Sequence, residues 1–149
     1  MNATATKDTI TQEIQIKGSA ERIFAALTDP RERLLWWGGP EGRFRLTAFE
    51  SDLRPGGKWT MHAESSGRLV TIKGEYRAIE PPRLLVFTWL PDWYEKATES
   101  LVRWELEERD GLTTVRLTHS GLDTVEARNS HRGWPQILGM LQAHVERSR

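Results

Sequence analysis

The 149-residue chain predicts an α+β fold. A curved antiparallel sheet of about six to seven strands wraps around a long C-terminal helix, with two short helices after the first strand. Three observations predict it. Apolar and polar residues alternate in most segments between Ile10 and His119, the mark of strands with one covered and one wet face. A helical apolar stripe occurs in two places, just after the first strand and at the C-terminal end. No repeat, low-complexity segment or linker divides the chain. Residues 1–149 therefore read as a single domain, with about residues 1–9 frayed.

Each element follows from local chemistry. "TITQEIQI" places Ile10, Ile14 and Ile16 on one parity and reads as a strand. "SAERIFAALTDP" is a helix with Ser19 as N-cap and Ile23, Phe24 and Leu27 as its stripe. Asp29 caps a second helix, Pro30 takes its first position, and Glu32 is placed to complete a capping box. That helix runs into Trp36-Trp37 and stops at Gly38-Gly39-Pro40. Phe44, Leu46 and Ala48 then alternate until the parity switches at Phe49, which predicts a bulge. Pro55-Gly56 suits the centre of a type II turn. Trp59, Met61 and Ala63 share a face of the next strand; Val70, Ile72, Gly74 and Tyr76 share one of the strand after it. Beyond Pro81-Pro82, Leu85, Phe87 and Trp89 are in phase, and "LPDWYEKATES" reads as a polar, flexible stretch. The clearest hairpin sends out Val102, Trp104 and Leu106, turns at Asp110-Gly111 and returns through Val115, Leu117 and His119. Trp134, Ile137, Leu138, Leu141 and Val145 form the final helical stripe. Pro135 requires either a kink there or a short helix ending near Gly133 before a longer one. The long helix should cover the concave side of the sheet, and the two short helices should close one edge.

Composition narrows the function classes. Lys+Arg and Asp+Glu both number 21, for a formal net charge of +0. That balance predicts no nucleic-acid partner. No run approaches the roughly 20 apolar residues of a membrane span, which predicts no membrane insertion. The chain has no cysteine, hence no thiol nucleophile and no thiolate metal site. The first residues lack an apolar signal-peptide core, so a cytoplasmic location is expected. The four histidines show no metal-ligand spacing. There is no nucleophile elbow, P-loop or dinucleotide fingerprint, so no metal and no cofactor is expected. Seven tryptophans are the unusual feature. Aromatic mass of this kind builds cores and lines apolar pockets.

Four phrases carry a resemblance: "ALTDPRERLLWWGG", "DLRPGGKWTM", "GEYRAIEPPRLLVFTW" and "VRLTHSGL" followed by "GW". Together with the element order they resemble bacterial proteins related to the C-terminal domain of the activator of the Hsp-90 ATPase. That family lies within the START and birch-pollen-allergen superfamily, often called SRPBCC, whose fold is the helix grip. The resemblance spans about Ile10 to Val145. It implies binding of a small apolar or aromatic ligand between sheet and C-terminal helix. It also implies two alternatives. One is a protein-interaction module with a chaperone partner, working through its outer surface and the loop of Asp92, Trp93, Tyr94 and Glu95, a loop that reads either as that surface or as a pocket rim. The other is an enzyme of cyclase or hydrolase type.

The candidate ligand-binding residues are Trp36, Trp37, Trp59, Met61, Phe87, Trp89, Trp104, Leu117, His119, Trp134 and Leu138. Trp36 and Trp37 match the family's double tryptophan; one ring plugs the sheet edge, or one lines the mouth of a pocket. The others are the inward face of sheet and helix, which forms either a solid core or a cavity wall. His119 shares parity with Val115 and Leu117, so it points inward as a core histidine, a ligand-orienting group or the acid–base of the enzymatic alternative. His62 and Glu75 fall on the opposite parity and read as surface groups, and His131 and His144 stand isolated. Exposed strand edges permit a homodimer, though nothing in the sequence specifies one.

Overall fold

The computed structural model describes residues 8–38 and 44–147. In chain order the elements are β1 (Ile10–Lys17), α1 (Ala20–Thr28), α2 (Pro30–Trp36), β2 (Phe44–Ser51), β3 (Lys58–Ser65) and β4 (Arg68–Glu80), followed by β5 (Leu84–Pro91), β6 (Ser100–Arg109), β7 (Leu112–Ser120), α3 (Val125–Asn129) and α4 (Trp134–Arg147). The strands form a seven-stranded sheet in the order β1-β7-β6-β5-β4-β3-β2. Every neighbouring pair is antiparallel. The sheet curls as a half-barrel around α4. Register shifts between Leu46 and Ala48 and between Tyr76 and Ala78 add local bend.

The strand order corrects one expectation. Because β1 pairs with β7, β1 and β2 occupy opposite edges of the sheet. The α1–α2 segment therefore crosses from one edge to the other and does not merely close one of them. α1 packs on α2 and α4, while α2 packs on β2. Ser19 caps α1 by accepting from Arg22 N–H at 3.0 Å, and Asp29 caps α2 by accepting from Arg31 N–H at 2.9 Å. The predicted capping box does not form. Asp29 N–H donates to Ala25 O (2.9 Å), and the Glu32 carboxylate turns instead to Arg22 and to His144 Nε2. With its backbone donor already used, Asp29 leaves Glu32 free to tie α1, α2 and α4 together.

The inner face of the sheet carries the buried aromatics and aliphatics expected from parity. Gly74 belongs to that face because no side chain fits there. A Cβ would stand 1.9 Å from Thr88 O and 2.7 Å from Trp59 Nε1, so the Trp59 ring lies directly over Gly74. α4 lays Trp134, Leu138, Leu141 and Val145 against the sheet. Of the two readings of Pro135, the structure takes the second: α3 ends at Asn129 and a turn leads into α4, with Pro135 in its first turn, where no intrahelical N–H is needed. The stretch after β5 is tied down rather than loose. Asp92 N–H donates to Thr71 O (3.0 Å), and Thr71 N–H donates to Asp92 Oδ1 (2.8 Å). Gly38 opens the predicted helix stop with φ of 129°; Gly39 and Pro40 lie outside the described residues. No helix among the described residues is long and apolar enough to cross a membrane.

Candidate functional site

Between the β2–β5 half of the sheet and the start of α4 lies a cavity of about 760 Å³. Phe44, Val70 and Trp89 line it from the strands, and Trp134, Ile137 and Met140 line it from α4. Trp37 and Trp93 contribute from the segments after α2 and β5, and His131 from the turn before α4. Ser65, Ser130 and Gln136 add the other polar side chains, and among the described residues no Lys, Arg, Asp or Glu lines it.

Three of the eleven candidate residues, Trp37, Trp89 and Trp134, line this cavity. The other eight, Trp36, Trp59, Met61, Phe87, Trp104, Leu117, His119 and Leu138, are buried in the packing around it. The adjacent tryptophans divide their roles. Trp36 ends α2 and donates its indole N–H back to Ala26 O at 2.8 Å. Trp37 is the C-cap of α2, where the helical dihedrals end, and its ring turns to the cavity. Its centroid lies 6.5 Å from that of Trp89 and 6.0 Å from that of Trp134.

Two histidines stand behind and beside this aromatic wall. His119 and His131 have ring centroids 4.7 Å apart in an edge-to-face arrangement. Trp134 Nε1–H donates to His119 Nδ1 at 3.0 Å. An indole nitrogen is only a donor, so Nδ1 carries no proton and Nε2–H points to Ser100 Oγ, 2.7 Å away. The Ser100 hydroxyl in turn donates to Trp89 O at 3.2 Å. The second histidine repeats the pattern. Trp89 Nε1–H donates to His131 Nε2 at 3.0 Å, and His131 Nδ1–H donates to Ala127 O at 2.7 Å. Both rings are thus fixed as neutral tautomers. Burial pushes the His119 imidazolium down to about 3, with the neighbouring His131 adding to the effect. Burial also lowers His131, opposed by its bond to Ala127. At neutral pH His119 has both nitrogens committed and is a positioning group, poorly suited to acid–base exchange with a cavity occupant.

The opposite wall is built differently. Arg33, on α2, is buried with no carboxylate partner among the described residues. Its guanidinium carbon lies 4.4 Å from the Trp37 ring centroid and 4.5 Å from that of Phe49. Nη1 donates to Leu27 O at 2.7 Å, Nη2 reaches Met61 Sδ at 3.7 Å, and Nε has no partner among the described residues. The indole nitrogens of Trp37 and Trp59 are likewise buried and unpartnered. Desolvation lowers the Arg33 guanidinium to about 10, partly offset by Tyr76.

Sequence reasoning left His131 without a role and did not single out Arg33, Phe44, Val70, Ile137 or Met140 as site residues. His131 lies in a turn where no periodicity applies. Arg33 sits one helical turn before Trp37, and that i, i+4 spacing beside two tryptophans was the available signal for a stacked cation. Among the described residues no group of three or more His, Cys, Asp or Glu could hold a metal ion.

The family described as Activator of Hsp90 ATPase homolog 1-like protein matches residues 17–146. No curated protein matches the chain. Among solved structures, protein CV1439 from Chromobacterium violaceum is 26% identical with a TM-score of 0.77, covering 93% of this chain and 98% of that one. Protein NE0264 from Nitrosomonas europaea is 18% identical with a TM-score of 0.78, covering 95% and 96%. DynU16, a protein of the dynemicin biosynthetic locus, is 20% identical with a TM-score of 0.75, covering 97% of this chain and 49% of that one.

Proposed function

We propose a ligand-binding function for this chain, which belongs to the family of Activator of Hsp90 ATPase homolog 1-like proteins. It binds a small apolar or aromatic molecule between the sheet and α4, by burial and orientation and without a covalent step. The observation that carries this reading is the cavity of about 760 Å³, walled by tryptophans and, among the described residues, lined by no ionisable side chain except His131. Ligand pockets run to roughly 300–1,000 Å³, mostly apolar with a few placed polar groups. DynU16, of the same fold, comes from a biosynthetic locus, a setting in keeping with small-molecule handling.

Native mass spectrometry of the purified protein, beside the same sample after denaturation, tests the reading. A mass excess that disappears on denaturation is the expected result. An apo mass, together with no binding of naphthalene-sized aromatics by calorimetry, would remove the cavity as the functional site. Attention would then move to the outer surface and to a chaperone partner, tested by the ATPase rate of an Hsp90-type chaperone with and without this protein.

A further inference from the structure

The cavity and the buried Arg33 are separated by one ring. Trp37 faces the cavity on one side and the guanidinium on the other, 4.4 Å from its centroid. Buried polar groups are nearly always hydrogen-bonded, and an exception asks for an explanation. Arg33 has five N–H donors, yet the described residues offer it one carbonyl and one thioether sulfur. Among the described residues no carboxylate faces its charge, which lies against two aromatic rings. A guanidinium kept in an apolar core without an anion is costly, and an anion delivered to it would recover that cost.

Trp37 also lacks the indole hydrogen bond that holds its tryptophan neighbours, among the described residues. The indole nitrogens of Trp36, Trp89 and Trp134 are bonded to Ala26 O, His131 and His119. That of Trp37 has no partner among the described residues. Trp37 is the C-cap of α2, next to Gly38 with φ of 129°, so no following helical turn holds it.

We propose that the ligand of this cavity is an apolar acid whose single carboxylate pairs with the Arg33 guanidinium as the Trp37 ring turns aside. This deepens the ligand-binding reading and rests on it. One isolated guanidinium balances one negative charge, which favours a monoanion over a doubly charged phosphate. Its planar fork matches a carboxylate in two parallel bonds. The aromatic walls take the rest of the molecule.

The test is calorimetric titration of the protein at neutral pH with 1-naphthaleneacetate and with its neutral isostere 1-naphthaleneacetamide. The acid is expected to bind about tenfold or more tightly, because a charge-assisted bidentate pair replaces a neutral contact. In Arg33→Met the preference should vanish while amide binding persists. In the unaltered protein, the Nε–H nuclear magnetic resonance of Arg33 should move on adding acid and not on adding amide; this reading stands even where Arg33→Met does not fold. Equal binding of acid and amide, a preference that survives Arg33→Met, or an unmoved Arg33 resonance would overturn the carboxylate assignment and leave the apolar cavity standing. Failure of both probes to bind would remove the cavity reading, and the acid with it.

Discussion

On the β5–β7 and α4 side of the cavity, every indole and imidazole nitrogen of Trp89, His119, His131 and Trp134 is hydrogen-bonded. On the α2 and β3 side, Arg33, Trp37 and Trp59 each bury a nitrogen that lacks a partner among the described residues. Both walls carry tryptophan rings, and they differ in polar pairing. A paired wall holds one geometry, since each broken bond would strand two buried groups. An unpaired wall has least to lose from moving and most to gain from a polar guest. Trp59 marks the limit of that reasoning, because its nitrogen is pressed against Gly74 and its lack of a partner follows from close packing.

The harshest way to break the comparison is to remove the ring on which the paired wall turns. Trp89 contacts Trp37, Trp59, Phe87, His119, His131 and Trp134. Trp89→Ala should lower the unfolding free energy by about 3–5 kcal/mol, as large core truncations do. Urea denaturation reads the loss. A loss below about 1 kcal/mol, the size of an ordinary surface change, would mean the wall does not depend on it.

Acid attacks the same wall more gently. His119 is held neutral, with its folded value lowered from 6.5 to about 3, and His131 is lowered too. The unfolded chain takes up protons on these residues as pH falls through about 6.5. The folded chain does not until, for His119, pH nears 3. The unfolded state then binds more protons, so stability falls as pH drops from about 6.5, at about 1.4 kcal/mol per pH unit for His119, with His131 adding in the same direction. Urea midpoints between pH 7 and pH 4 test it. His119→Asn should flatten the slope by about 1.4 kcal/mol per unit, and an unchanged slope would show that His119 protonates freely in the fold. The unpaired wall offers no such titration, since Arg33 at about 10 stays charged throughout this range.

The contrast between the walls explains what the sequence could and could not disclose. Strand alternation and helix caps are local, so the element order and the helix-grip class were legible from Ser19, Asp29, Asp110-Gly111 and the inward parity of Trp59 through His119. The bulge after Leu46 was visible as a parity switch. The crossing of α1–α2 between opposite edges was not, because it depends on β1 pairing with β7 about a hundred residues away. At the site, parity found the residues pointing inward but could not separate wall from core. Trp37, Trp89 and Trp134 reach the cavity while Trp104 and Leu117, on the same face, do not. His131 escaped because it lies in a turn, and Glu32 was assigned to a local cap when its partners come from α1 and α4. Tertiary pairing decides such cases, and no periodicity encodes it.

The finest test compares one change made on each wall. Trp134→Phe and Trp37→Phe delete the same atoms, so their losses of apolar transfer energy are similar. Trp134→Phe also strips His119 Nδ1 of its donor in a buried site, which should cost about 1–3 kcal/mol more. Trp37→Phe deletes a nitrogen that has no hydrogen-bond partner among the described residues and relieves a buried donor, so the two effects of the change oppose each other. It should be the mildest aromatic substitution at the site, within about 1 kcal/mol of the parent protein. Denaturant midpoints of the two variants, measured side by side at neutral pH, read the difference directly. Equal losses would mean that the indole–imidazole bond adds nothing net, and the distinction between a fixed and a yielding wall would fall with it. A larger loss at Trp37 would point to its stacking on Arg33 as the stronger interaction, and that would place the rigid side of the cavity at α2.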